Sequence, residues 1–290
     1  MATLVGLTAI LMWALLALLT ARTGTVPPLQ LNAMTFAVGT LVGLLAFKVR
    51  GARLSVFRQP PRVWALGVIG LFGYHALYFA ALRNAPAAEA SLVAYLWPLL
   101  IVLGSAMLPG ERLRWFHLVG ALLGLCGAGL VIAGRSGGLD FSGEAGLGYA
   151  LAGLCALFWA SYSLLSRRFA EVPTDVVTGF CAATAILSLL SHLIFETTVW
   201  PQDTAQWTAV ILLGLLPVGA AFYTWDHGVK RGDIQLLGAA SYAAPLLSTF
   251  VLILFGEAQA SPTLLLAAAL ITTGAALAAL PLFRRLARRG

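Results

Sequence analysis

Ten apolar stretches follow one another along this chain, at 2–21, 29–48, 62–82, 86–107, 112–134, 144–166, 174–194, 205–227, 233–255 and 261–282. A bilayer core is crossed by a helix of roughly 20 apolar residues. Inside lipid only a helix or a closed barrel satisfies the backbone's own polar groups. The pattern predicts an all-α integral membrane protein with ten transmembrane helices. At 290 residues, 60% of them hydrophobic and 10% charged, spans and short connections use nearly the whole chain. No soluble catalytic domain is expected.

The basic residues set an orientation. Lys48, Arg50, Arg53, Arg58, Arg62, Arg112, Arg114, Arg167, Arg168, Lys230, Arg231, Arg284, Arg285, Arg288 and Arg289 fall on one side of the expected membrane. Only Arg22, Arg83 and Arg135 fall on the other. Lys and Arg collect in cytoplasmic connections, so both termini are expected in the cytoplasm. The net charge of +7 then reflects this bias and attraction to the inner leaflet, and no nucleic-acid partner is expected. The first stretch lacks a basic leader and a good cleavage site around Arg22–Thr25, so it reads as a retained span. Cys126, Cys155 and Cys181 lie inside apolar runs without a CxxC pair, which argues against a disulfide framework or a metal cluster. They read as small packing residues.

An offset of 146 or 147 positions lines the chain up with itself. Trp13-Ala14 falls on Trp159-Ala160 and Pro27 on Pro173. Tyr95-x-x-Pro98-Leu99-Leu100 falls on Tyr242-x-x-Pro245-Leu246-Leu247, and Gly110-Glu111 on Gly256-Glu257. The expected repeats are 1–138 and 139–290, five helices each. Five is odd, so the second copy enters the membrane from the opposite side and the two are inverted. Inverted repeats are a common build of secondary transporters, with substrate held near the midplane at the repeat interface.

Through Trp13, Trp159 and the two stretches Pro98 to Gly110-Glu111 and Pro245 to Gly256-Glu257, the whole chain resembles the EamA-type ten-span carriers of the drug/metabolite transporter superfamily. Within that superfamily, Gly73-Tyr74-His75-Ala76-Leu77-Tyr78 and Tyr95-Leu96-Trp97-Pro98 resemble the YddG-type exporters of aromatic amino acids. The resemblance implies a basket-shaped bundle. Its central cavity would be formed mainly by spans 1, 3, 4, 6, 8 and 9, with 5 and 10 bracing the outside and 2 and 7 lining the flanks. It also implies a multi-pass protein of the bacterial inner membrane.

Tyr74 and Tyr78 share one face of the third helix, and His75 and Phe79 share the next. Polar atoms facing hydrocarbon would cost several kcal/mol each, so these residues are expected to line a wet cavity; an interfacial aromatic belt is the competing reading. His75 stands deep in its span, where ionisable groups mark function by default, although a satisfied structural histidine competes. Pro98 and Pro245 are expected kinks or hinges that free carbonyls near Tyr95, Trp97, Ser241 and Tyr242 to meet a substrate ammonium, which makes Tyr95, Trp97 and Tyr242 expected substrate contacts. A purely structural kink is the alternative. Trp13, Trp159, Tyr162, Ser163 and Phe222 are expected substrate contacts, because aromatic walls stack on planar side chains and attract an ammonium. Lipid-facing or packing tryptophan is the plainer account. Asp226 and His227, beside Lys230, Arg231 and Asp233, read as a solvated charged loop. Glu111 and Glu257 read as helix-terminal or inter-helix structural groups rather than transport residues, and His117 and His192 receive no chemistry.

No carboxylate is expected at the centre of a span, and no Lys/Arg cluster inside the bundle for a phosphorylated substrate. What remains suits a neutral zwitterion with an aromatic or bulky side chain, exported by alternating access. Facilitated export is favoured, and proton antiport stays open through His75. The alternatives are export of other small metabolites or drugs and, from another class, a membrane-embedded transferase. No acidic or His-rich motif supports the transferase. No enzyme activity, cofactor or metal is expected, and a monomer is compatible with this reading.

Overall fold

The computed structural model describes residues 1–136, 145–256, 259, 261–278 and 280, and no strand occurs among them. Among the described residues, eight helices are long and apolar enough to cross a bilayer: α1 (Ala2–Ala21), α2 (Pro28–Val49), α3 (Pro61–Asn84), α4 (Glu89–Met107), α5 (Trp115–Gly134), α6 (Gly146–Arg168), α7 (Thr174–Phe195) and α8 (Thr204–Arg231). A further helix, α9, runs as Ile234–Ala240 and Ala243–Leu254 with a 40° bend between them, and makes a ninth span if the pair crosses together. The apolar α10 (Pro262–Ala278) has 17 residues, about 26 Å at the helical rise. Position 144, the boundary at 138/139, Glu257, positions 281–282 and the tail arginines Arg284, Arg285, Arg288 and Arg289 lie outside the described residues.

Local chemistry explains the ends and the interruptions. Pro28, Pro61 and Pro262 open their helices, where the missing N–H has no intrahelical partner to lose. Asp203 and Asp233 cap α8 and α9 by accepting from the backbone N–H of Gln206 at 2.8 Å and Leu236 at 3.0 Å, which satisfies orphan donors. A π turn widens α3 at Ile69–Gly73 and α8 at Leu216–Ala220. Breaks at Tyr95–Leu96 in α4 and Ser241–Tyr242 in α9 each precede a segment with a proline, Pro98 or Pro245, in its first turn.

Small residues let backbones meet, the usual means of close helix approach in lipid. Gly6 of α1 faces Gly228 of α8, and Gly39 of α2 faces Gly219 of α8. On the margin, α5 packs along α10 so tightly that a Cβ on Gly120 would sit 2.5 Å from the Gly274 carbonyl. Gly120→Ala is therefore expected to overpack this seam by about 1–3 kcal/mol. It should lower the thermal midpoint in detergent, while Gly134→Ala, where a Cβ meets open space, leaves it unchanged.

The main buried cluster draws on α1–α4 and α6–α9. The α5 and α10 side chains join a separate cluster with α4 and α9. Leu41, Leu44 and Leu45 of α2, Ile186, Leu190 and Leu193 of α7, and Leu265 and Leu266 of α10 are exposed, as a lipid-facing belt requires. Trp200 and Trp207 stack at 6.1 Å beside the α7–α8 connection, in the manner of interfacial aromatics.

Candidate functional site

Four rings from three helices meet around one indole. Trp13, where α1 is interrupted, lies 6.2 Å from Trp97 of α4, 5.8 Å from Trp159 of α6, and 6.4 and 5.2 Å from Phe222 and Trp225 of α8. Most of these pairs are edge-to-face or tilted, the arrangement that ring quadrupoles favour. The Trp13 indole N–H donates to the Pro217 carbonyl of the α8 π turn at 3.0 Å, and the Trp225 N–H donates to Ser163 Oγ at 3.0 Å. Trp97, Trp159, Phe222 and Trp225 are buried, and Trp13 is half-buried. At this level the rings touch one another, so protein fills the space that the sequence reading assigned to substrate.

Beside this plug, α3 presents a half-buried row. Tyr74 and Tyr78 stack at 6.1 Å, and Tyr74 lies 5.6 Å from Trp159. His75 packs edge-on against Phe36 at 5.1 Å and Phe222 at 6.1 Å. Its Nδ1 lies 2.7 Å from the Leu71 carbonyl; a carbonyl only accepts, so Nδ1 carries the proton. Tyr78 Oη pairs with Ser91 Oγ of α4 at 2.9 Å. Tyr74 and Tyr78 also pack against the small side chains Ala81, Ala90, Ala94, Ala152 and Cys155.

Four of the expected site residues are placed differently. Tyr242 is fully buried with the α4, α5, α9 and α10 cluster, away from the tryptophans. Its hydroxyl accepts the Leu99 N–H at 3.1 Å, which ties the break in α9 to the segment after the break in α4. Tyr95 packs on the same cluster. Ser163 is committed to Trp225. Tyr162 stacks on Trp159 at 5.3 Å but sends its hydroxyl to Asp226 at 3.3 Å. Tyr242→Phe should cost about 1 kcal/mol, read as a lower unfolding midpoint with the ring cluster's tryptophan fluorescence unchanged.

The charged residues after Phe222 correct the sequence reading. Helix α8 continues to Arg231, so Asp226 and Lys230 share a face and are buried, 1% and 6% exposed. The Asp226 carboxylate accepts from Lys230 Nζ at 2.8 Å, Thr174 Oγ1 at 2.8 Å and Tyr162 Oη, and Lys230 also donates to the Val172 carbonyl at 3.0 Å. Only such full pairing makes a buried ion pair tolerable. Exposed Arg231 and half-buried His227, 3.2 Å apart, fit the solvated account. Nearby, Arg167 bonds Glu111 at 2.5 Å and the Val229 and Gly232 carbonyls at 3.1 and 2.6 Å, closing the C-terminus of α8 with a cation. Glu111 is thus an inter-helix group.

Both tandem stretches 1–133 and 146–280 match the EamA-like transporter family. The chain belongs to that family. One relative, the aromatic amino acid exporter YddG of Ancylobacter novellus, is 58% identical over 96% of this chain and 97% of its own length. The aromatic amino acid exporter YddG of Salmonella typhimurium is 28% identical over 86% of each chain. A crystal structure of a protein 58% identical to this chain superposes with a TM-score of 0.94, covering 98% of both. The EamA-like chain is a multi-pass membrane transporter, and its family and relatives are transporters rather than enzymes.

In this EamA-like transporter the opposite end of the bundle holds a second network that sequence reasoning missed. Glu196, at the end of α7, accepts from the Leu29 and Gln30 N–H groups that open α2, each at 3.1 Å. It also takes Arg83 at 3.0 Å and His192 Nδ1 at 3.0 Å. His192, given no chemistry above, is a buried helix-end partner. The spacing of His192 and Glu196 at i, i+4 is the one signal that the sequence offers for it, as it is for Asp226 and Lys230.

Proposed function

We propose that this chain exports aromatic and other bulky neutral amino acids across the bacterial inner membrane by alternating access, with both termini cytoplasmic. The observation that carries the reading is the ring plug of Trp13, Trp97, Trp159, Phe222 and Trp225 under the half-buried row Tyr74, His75 and Tyr78. A planar side chain laid on that row gains stacking and area burial. Its ammonium and carboxylate would find the Tyr78–Ser91 hydroxyl pair, His75 and ring faces. The plug and the Asp226–Lys230 and Arg167–Glu111 pairs hold the end assigned to the cytoplasm shut, so the substrate would reach the α3 row from the other side in this state. Relatives named as aromatic amino acid exporters support the substrate class.

Ten spans in two inverted units, 1–138 and 139–290, with α10 as the tenth, complete the reading. The π turns at 69–73 and 216–220, the helix breaks at Tyr95 and Tyr242, and the positive-φ glycines Gly110 and Gly256 all repeat at the offset of 146 or 147 positions found in the sequence. Helix partners exchange in the same way: α1 packs on α8 as α6 packs on α3, and α2 packs on α7. Pro98 and Pro245 would be the hinges.

Counterflow of labelled phenylalanine, tyrosine and tryptophan in proteoliposomes, with and without a pH gradient, tests the function. All three should exchange faster than aspartate or lysine, and without needing the gradient. Equal rates for all five would defeat the aromatic assignment. Cysteine labelling of intact cells at the two termini tests the sidedness separately.

A further inference from the structure

A groove of about 490 Å³ opens between the first turn of α3 and the last turn of α6, lined by Arg62, Leu66, Leu165, Arg168, Phe169 and Glu171. Its chemistry is two-sided. Arg62 and Arg168 are exposed; the Arg62 guanidinium lies over the Phe169 ring at 5.4 Å, and Arg168 reaches the Met107 carbonyl at 3.5 Å. Leu66 and Leu165 supply an apolar wall one turn further into the membrane. We infer that this groove binds the headgroup of a monoanionic glycerophospholipid of the phosphatidylglycerol type from the cytoplasmic leaflet, with its phosphodiester between Arg62 and Arg168. The inference rests on the orientation proposed above.

Three physical points favour this occupant. A guanidinium presents a planar fork that fits phosphate oxygens. Basic pockets between transmembrane helices on the cytoplasmic side are suited to anionic headgroups. Finally, Glu171 leaves the lining with one net positive charge, matched to a single phosphodiester, and its carboxylate can accept from the glycerol hydroxyls. The site also has a structural consequence. Leu66 and Phe169 wall a void of about 10 Å³ whose other side is Asp226 and Lys230. A seated headgroup therefore covers the outer flank of the buried ion pair and braces the closed end.

The test titrates the purified full chain in detergent with phosphatidylglycerol, phosphatidylcholine or inorganic phosphate, followed by native mass spectrometry and thermal unfolding. Phosphatidylglycerol should be retained and raise the midpoint, whereas phosphatidylcholine and phosphate should not. Arg62→Gln with Arg168→Gln should weaken retention about fivefold per arginine. Arg53→Gln with Arg58→Gln, the same charge loss in the α2–α3 connection outside the groove lining, should leave it intact. Undiminished retention in the first pair, an equal loss in the second, or protection by phosphate alone would each overturn the proposal. These readouts do not depend on sidedness, so failure to bind defeats the groove and leaves the export reading standing.

Discussion

Trp159→Ala is expected to lower counterflow of labelled phenylalanine or tryptophan by about tenfold, the factor that one lost aromatic pair of up to ~1.5 kcal/mol represents. Trp159 touches Trp13, Tyr74, Trp97, Tyr162, Phe222 and Trp225, so it is the ring through which the buried plug meets the α3 row. Trp159→Phe keeps a ring at this junction and should recover most of the flux. Removing a buried indole costs about 3–5 kcal/mol in a well-packed core, so the monomer peak in size exclusion must be followed beside the transport rate. Trp13→Ala, at a half-buried ring, separates the two effects: it should impair flux with a smaller loss of folded protein. Wild-type flux in folded Trp13→Ala and Trp159→Ala would remove these rings from the substrate path and leave the family membership untouched.

The second large effect is expected at the buried ion pair. Lys230→Met strands the Asp226 carboxylate, whose exposure is 1%, with two hydroxyls and no cation. Breaking one side of a buried pair costs about 3–5 kcal/mol, which should show as a large fall in thermal midpoint. Asp226→Asn combined with Lys230→Met removes both charges and should be more stable than Lys230→Met alone. A double variant no more stable than the single one would show that packing, rather than charge, holds this end. Opening of this end during transport should also be easier in the double variant, read by thiol labelling of Ser166→Cys, a buried position on the void beside the ion pair.

Several parts of this architecture were legible in the chain itself. The all-helical membrane class follows from hydropathy because a bilayer permits few other backbone solutions. The breaks beside Pro98 and Pro245 follow from residues whose backbone chemistry is local, whereas which glycines face one another was set by the packing of different helices. The tryptophans and tyrosines of the site were also visible, since large polar-edged rings deep in apolar helices need partners. Less legible was the use each ring makes of its neighbours. Tyr242 carries the same motif as Tyr95, yet its hydroxyl serves the Leu99 N–H, and no spacing within one helix encodes a bond between positions 99 and 242. The same holds for Glu196, whose partners Leu29, Gln30 and Arg83 lie on other helices.

Sequence by itself determined that this chain fills a membrane with apolar helices, where prolines interrupt them, and which rings lie deep in them. Each of these depends on forces acting within one helix or between a helix and lipid. Tertiary structure alone decided that Asp226 and Lys230 are buried rather than solvated, and that five rings close against one another. Burial is a property of what other helices bring to a face, and the partners here come from positions more than fifty residues away.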